Sequence, residues 1–167
     1  MDLEEIDSCD CNCCDMEEMV KIGYPAPHFE DMDAYHNGEY KKVSLSDYDG
    51  KWLVLFFYPR DFTFVCPTEI AAFGEHYEAF KKLGCEVIGA STDSKECHQA
   101  WYTTDERIKH VAFPVIADTT QELADMYEVL QDDGAAGRGT FIIDPEGTLR
   151  YFMVSGDSVG RNIPETL

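Results

Sequence analysis

The segment Phe57-Tyr-Pro-Arg-Asp-Phe-Thr-Phe-Val-Cys-Pro-Thr-Glu69 carries the residues best suited to chemistry. It leaves an apolar run and enters a helical pattern, the place in an open α/β sheet where reactive groups sit. Cys66 then falls in or near the first turn of a helix. Unpaired backbone N–H groups and the positive end of the helix dipole favour a thiolate there. Thr63 lies three residues earlier. On a turn or helix its hydroxyl stands beside the sulfur, able to donate to it or to orient an oxygen next to it. Pro59 bends the chain out of the strand and screens the sulfur from water. Pro67 weakens the helix start, because it lacks an N–H and disfavours helical geometry at Cys66. A weak first turn can open and let Cys66 reach another thiol. The pattern points to nucleophilic attack by a thiolate. A buried structural thiol is the plainer alternative from position alone, and the flanking Pro59, Thr63 and Pro67 weigh against it.

The elements that position these residues follow from periodicity. Residues 52–58 are uninterruptedly apolar, as in a strand buried on both faces. Ile70, Phe73, Tyr77 and Phe80 recur at spacings of three and four, a helical stripe that Gly84 ends. Residues 85–91 read as the next buried strand, 94–104 as a helix, and 113–116 as a short strand. Residues 121–130 read as a helix capped by Thr119 or Thr120. Two more strands, 140–144 and 149–154, are joined through Pro145-Glu-Gly147, a tight turn that makes them antiparallel. Asn37-Gly38 between Tyr35 and Tyr40 signals a hairpin. This order predicts an α/β domain over 23–167, with a mostly parallel sheet, helices on its faces and an antiparallel edge. At the chain's end, Asn162 and Pro164 open a helix that stops after one turn.

Composition bounds the function. Of 167 residues, 13 are Lys or Arg and 33 Asp or Glu, a formal net charge of −20. Such a surface repels phosphate backbones and anionic lipid, which argues against nucleic-acid and membrane partners. No apolar run reaches the ~20 residues needed to cross a bilayer. The start, Met-Asp-Leu-Glu-Glu, is acidic where a secretory signal would be basic and then apolar, so the expected location is cytoplasmic. Seven cysteines in that setting suit thiol chemistry or metal binding, not a disulfide framework. Residues 1–22 read as an acidic tail with Cys9, Cys11, Cys13 and Cys14 and a short helix at 16–20. Its thiols can hold a soft metal, yet one compact run does not easily place four sulfurs tetrahedrally. A passive tail or a redox role are the other readings.

The signature of Pro59, three residues, Thr63, two residues and Cys66 matches that of the peroxiredoxins. Its neighbours resemble the alkyl hydroperoxide reductase C, or typical 2-Cys, subfamily. Gly89-Ala-Ser-Thr-Asp93, His98-Gln-Ala-Trp101 and Gly137-Arg-Gly-Thr-Phe-Ile-Ile-Asp144 resemble the same family, in order along 23–167. The resemblance implies a thioredoxin-like fold, a central mixed β-sheet flanked by helices. It implies a peroxidase that reduces hydrogen peroxide and organic hydroperoxides with no metal or cofactor. Cys66 would be the attacking cysteine, with Pro59, Thr63 and Arg138 completing its site. Glu69 would hold Arg138 by a bidentate pair, and Arg150 is a further supporting candidate. The implied partners are a thioredoxin-like or flavoprotein disulfide reductase, and a second copy of the chain in homodimers or decameric rings.

The sequence departs from that subfamily in three places. The Val-Cys-Pro segment with the resolving cysteine would lie beyond the point where this chain stops. The terminal helix and tail that close a partner's site would lie there too, leaving the domain's C-terminal helix truncated. The Gly-Gly-Leu-Gly motif is absent, and residues 103–113 read Thr-Thr-Asp-Glu-Arg-Ile-Lys-His-Val-Ala-Phe. Cys97 and the tail cysteines, Cys14 among them, are candidate substitutes; Cys85 reads as core. Cys97 and His98 are adjacent, so on a helix their side chains diverge, and His98 reads as packing beside Trp101. Two other functions compete: a non-enzymatic metal-binding or chaperone-like oligomer, and a thioredoxin-like disulfide oxidoreductase. The latter wants Cys-x-x-Cys, and position 69 is Glu.

Overall fold

The computed structural model describes residues 20–167. The tail cysteines Cys9, Cys11, Cys13 and Cys14, and the expected helix at 16–20 apart from its last residue, lie outside them. Seven strands form one sheet: β1 (Met32–His36), β2 (Glu39–Val43), β3 (Trp52–Phe57), β4 (Cys85–Ser91), β5 (Val115–Ala117), β6 (Arg138–Ile143) and β7 (Leu149–Ser155). Their spatial order is β2-β1-β5-β4-β3-β6-β7. Three helices flank the sheet: α1 (Cys66–Lys82), α2 (Lys95–Thr104) and α3 (Glu122–Met126).

The sheet is mixed, not mostly parallel. Only β3–β4 and β4–β5 pair in parallel, while β1–β2, β1–β5, β3–β6 and β6–β7 are antiparallel. The expected antiparallel pair at the edge is present as β6 and β7. What local sequence did not reveal is that β6 inserts beside β3, since strand order depends on contacts between distant residues.

Alternate residues of β3 serve opposite faces, as its apolar run predicts. Leu53, Leu55 and Phe57 join a core with Ile88, Tyr127, Phe141 and Ile143. Val54, Phe56 and Tyr58 join another with Phe73, Phe80, Trp101 and Phe113. The Asn37-Gly38 turn takes positive φ at both residues, 50° and 86°, the geometry of a two-residue hairpin loop.

Helix α3 departs from its predicted start. Its first N–H groups are capped by Asp118, not by Thr119 or Thr120: the buried carboxylate accepts from Leu123 N at 3.1 Å and Ala124 N at 2.8 Å. Gln121 adopts φ 65° to carry the chain from one to the other, and Glu128 at φ 57° follows the helix end. At the C-terminal end, the one-turn pattern becomes a 3-10 turn, Ile163–Glu165, with Ile163 buried.

Gly139 gives the strand that bears Arg138 its close packing. A Cβ there would stand 2.8 Å from both Phe141 Cε2 and Val129 Cγ1. Gly139→Ala is therefore expected to destabilise the fold by about 1–3 kcal/mol. This corresponds to a thermal midpoint lower by about 2–12 °C, and an unchanged melt would show that the two side chains yield freely.

Candidate active site

Cys66 is the first residue of α1, directly beyond the loop that leaves the C-terminal end of β3. No side chain caps this helix; in its first turn the Thr68 N–H donates to the Val65 carbonyl at 3.2 Å. Pro67 falls in the first turn, where an N–H has no intrahelical partner. Its missing donor therefore forfeits nothing there.

The sulfur is fully buried at the base of an open cleft of about 330 Å³, walled by Pro59, Thr63, Val65 and Arg138. Antiparallel pairing explains how Arg138 reaches it. Thr140 of β6 lies opposite Phe56 of β3, so Arg138, two residues earlier, stands level with the residue that leaves β3. Its Nη1 lies 3.5 Å from Cys66 Sγ and 2.6 Å from Glu69 Oε2. Its Nε donates to the Asp157 carbonyl at 2.8 Å. Thr63 is half-buried on the cleft wall, and its hydroxyl donates to the Arg60 carbonyl at 3.0 Å.

Glu69 does more than hold Arg138. Its bidentate partner is Arg161, a residue the sequence reading missed. Glu69 Oε1 accepts from the Arg161 backbone N at 2.8 Å and from Nε at 3.1 Å, and Oε2 accepts from Nη2 at 3.2 Å. Arg138 meets the same carboxylate through one nitrogen alone. Arg161 also donates to the carbonyls of Phe57 and Gly139 and to Thr140 Oγ1. It ties β3, β6 and α1 together from a loop with no regular structure of its own. Burial pulls the Arg161 guanidinium down and the Glu69 charge opposes that shift. No periodic or spacing signal marks position 161; its role follows only from the three-dimensional meeting of distant segments.

The remaining candidates lie elsewhere. Arg150 is on β7 and donates to Asp144 Oδ2 at 2.6 Å, near the turn that joins β6 and β7, away from the Cys66 cleft. Cys85 opens β4 in an apolar setting, where burial pushes its thiol up to about 11. Cys97 is on α2; burial, then the Asp61 and Asp93 carboxylates, push its thiol up to about 12. His98 is buried against Asp61, with ring contacts to Tyr58 and Tyr102, so its environment is polar as well as packed. Position 69, which a disulfide oxidoreductase would need as cysteine, is a buried carboxylate committed to two arginines. Among the described residues, no group of three or more His, Cys, Asp or Glu side chains is arranged to hold a metal.

Comparison with known proteins identifies the family. The AhpC/TSA family profile matches residues 22–152. The chain is 51% identical to peroxiredoxin-2 of Cricetulus griseus over 150 residues, covering 87% of this chain and 75% of that one. It is 46% identical to a thioredoxin peroxidase of Trypanosoma brucei rhodesiense over 152 residues, covering 89% and 76%. Among solved structures, Enterococcus faecalis AhpC superposes with a TM-score of 0.85 at 42% identity, covering 89% of each chain. By sequence and by its thioredoxin-like fold, this chain belongs to the AhpC/TSA family, the peroxiredoxins.

Proposed function

We propose that Cys66 is the attacking residue of this thiol-dependent peroxidase, and that Arg138, Thr63 and Pro59 form its working shell. The observation that carries the assignment is the 3.5 Å contact between Arg138 Nη1 and the Cys66 sulfur within a buried charged cluster. The thiolate attacks one peroxide oxygen, the O–O bond breaks, and the sulfur becomes a sulfenic acid. The other oxygen leaves as water or alcohol after taking a proton. Arg138 stabilises negative charge on the sulfur and on the departing oxygen. The Thr63 hydroxyl, anchored by its own donation to Arg60, keeps lone pairs free to accept the O–H of a hydroperoxide. Pro59 walls the cleft, and Glu69 with Arg161 fixes where Arg138 points.

Regeneration is assigned to an external thiol donor, of the thioredoxin-like or flavoprotein disulfide reductase type. The raised thiols of Cys85 and Cys97 support this, because attack on a sulfenic acid needs a thiolate. Cys14 and its neighbours lie outside the described residues. Self-association as homodimers or decameric rings fits the exposed side chains of Tyr151, Phe152 and Val154 on the edge strand β7, and of Phe62 and Phe64 beside Cys66. The seven cysteines suit a reducing compartment, and we place the protein in the cytoplasm.

Cys66→Ser is expected to abolish peroxide consumption in a coupled assay with a thiol reductant. Undiminished activity would defeat the assignment. Arg138→Ala is expected to lower kcat/KM for hydrogen peroxide by about 100-fold. Brief iodoacetamide labelling at pH 8, followed by peptide mass mapping, is expected to modify Cys66 well before Cys85 and Cys97. Thiols held at about 11 and about 12 are almost wholly protonated at that pH and gain reactivity only as pH rises toward those values. Early modification of Cys97 would count against its assignment as a silent thiol.

A further inference from the structure

Beneath the loop that carries Thr63 lies a second buried polar chain, separate from the arginine cluster. Asp61 Oδ1 accepts from the Tyr58 hydroxyl at 2.6 Å. Asp61 Oδ2 stands 2.6 Å from His98 Nδ1, and His98 Nε2 stands 3.0 Å from the Ile116 carbonyl. A carbonyl only accepts, so Nε2 carries a proton, and one further proton lies in the Nδ1–Oδ2 contact. Both side chains are fully buried. The Tyr58 hydroxyl is held well above its ordinary range, by burial first and then by the Asp61 charge, and so remains a donor. The Asp61 carboxylate also helps, after burial, to hold the Cys97 thiol protonated. The backbone of Asp61 is pinned separately, its N–H donating to Asp93 Oδ2 at 2.8 Å.

Contacts reach Asp61 from the end of β3, from α2 and from the turn after β4, while β5 holds His98 from its other side. Asp61 lies two residues before Thr63. The residue between them, Phe62, adopts φ 57°, a left-handed conformation that a bulky side chain seldom takes. Such a conformation persists only where the surroundings over-determine it. Phe62 is 60% exposed, with one ring contact to Trp101 at 5.9 Å. The restraint therefore comes from its neighbour.

We propose that Asp61 and His98 form a positioning pair, which locks the 58–65 loop so that Thr63 and Pro59 face Cys66 in the geometry that peroxide attack requires. The pair touches no substrate and acts through Thr63. This inference rests on the assignment of Cys66 as the attacking residue.

The test compares two reagents on the full chain. Oxidation of Cys66 by hydrogen peroxide needs both a thiolate and a correctly placed Thr63. Alkylation of Cys66 by iodoacetamide needs only an accessible thiolate. In Asp61→Ala, the second-order rate with peroxide is expected to fall about 10–100-fold, while the alkylation rate does not fall. Asp61→Asn keeps an acceptor for Tyr58 and a donor for His98 Nδ1, and is expected to restore the peroxide rate to within about threefold of the parent. A peroxide rate unchanged in Asp61→Ala, or equal losses with both reagents, would overturn the proposal. Should Asp61→Ala fail to fold, Tyr58→Phe removes one bond to Asp61 and keeps the ring. A selective loss with peroxide supports the pair, and equal rates to the parent with both reagents count against it. Cys66→Ser separates the two levels: retained activity there defeats the Cys66 assignment and the pair with it. Loss of activity there, with an unaffected Asp61→Ala, defeats the pair alone.

Discussion

The buried meeting of Arg138, Glu69 and Arg161 beside Cys66 is the interaction on which the rest of the site depends. Two guanidinium groups and one carboxylate are almost fully buried there. Removing charges from water is costly, and the cost is tolerable only with close, well-satisfied partners. Glu69 supplies one negative charge against two positive ones. The remaining positive charge faces the Cys66 sulfur, 3.5 Å from Arg138. No buried side-chain nitrogen or oxygen among the described residues lacks a hydrogen-bond partner, so the cluster is supported without an orphaned group.

The fold delivers this arrangement through one antiparallel insertion. Parallel strands β3 and β4 place their C-terminal ends together, and β3 passes directly into the Cys66 loop. Because β6 runs antiparallel to β3, its N-terminal residue, Arg138, arrives at that same end. A parallel β6 would have sent Arg138 to the opposite side of the molecule. The contrast with Arg150 makes the point: it lies beside the β6–β7 turn at the far end of the sheet, where its partner is Asp144.

This explains which features were legible in sequence and which were not. The apolar run of β3, the stripe of α1 and the Asn37-Gly38 turn depend on neighbouring residues, so periodicity and turn chemistry expose them. The placement of Cys66 at a helix start, with Pro59 and Thr63 on the loop before it, was legible for the same reason, since all are local. The mixed sheet, the fork between Glu69 and Arg161, and the capping of α3 by Asp118 depend on residues brought together by tertiary structure. Arg161 is the clearest case. It bonds to residues 22, 92 and 104 positions away, and nothing around it in the sequence forms a pattern.

The three described cysteines differ in their surroundings more than in their place in the fold. All three sit at or near the start of an element: Cys66 opens α1, Cys85 opens β4, and Cys97 lies in the first turn of α2. Position at a helix start therefore cannot by itself explain a reactive thiol, because Cys97 shares it. At Cys97 burial first, and then the Asp61 and Asp93 carboxylates, oppose a thiolate. At Cys97 burial and these carboxylates together outweigh the partial charge of the helix end. Cys66 instead lies 3.5 Å from the Arg138 guanidinium. The same acidic composition that surrounds Cys97 with carboxylates makes a cationic cleft rare in this chain. The cleft exists because a single carboxylate, Glu69, gathers two of the chain's 13 basic residues behind one sulfur.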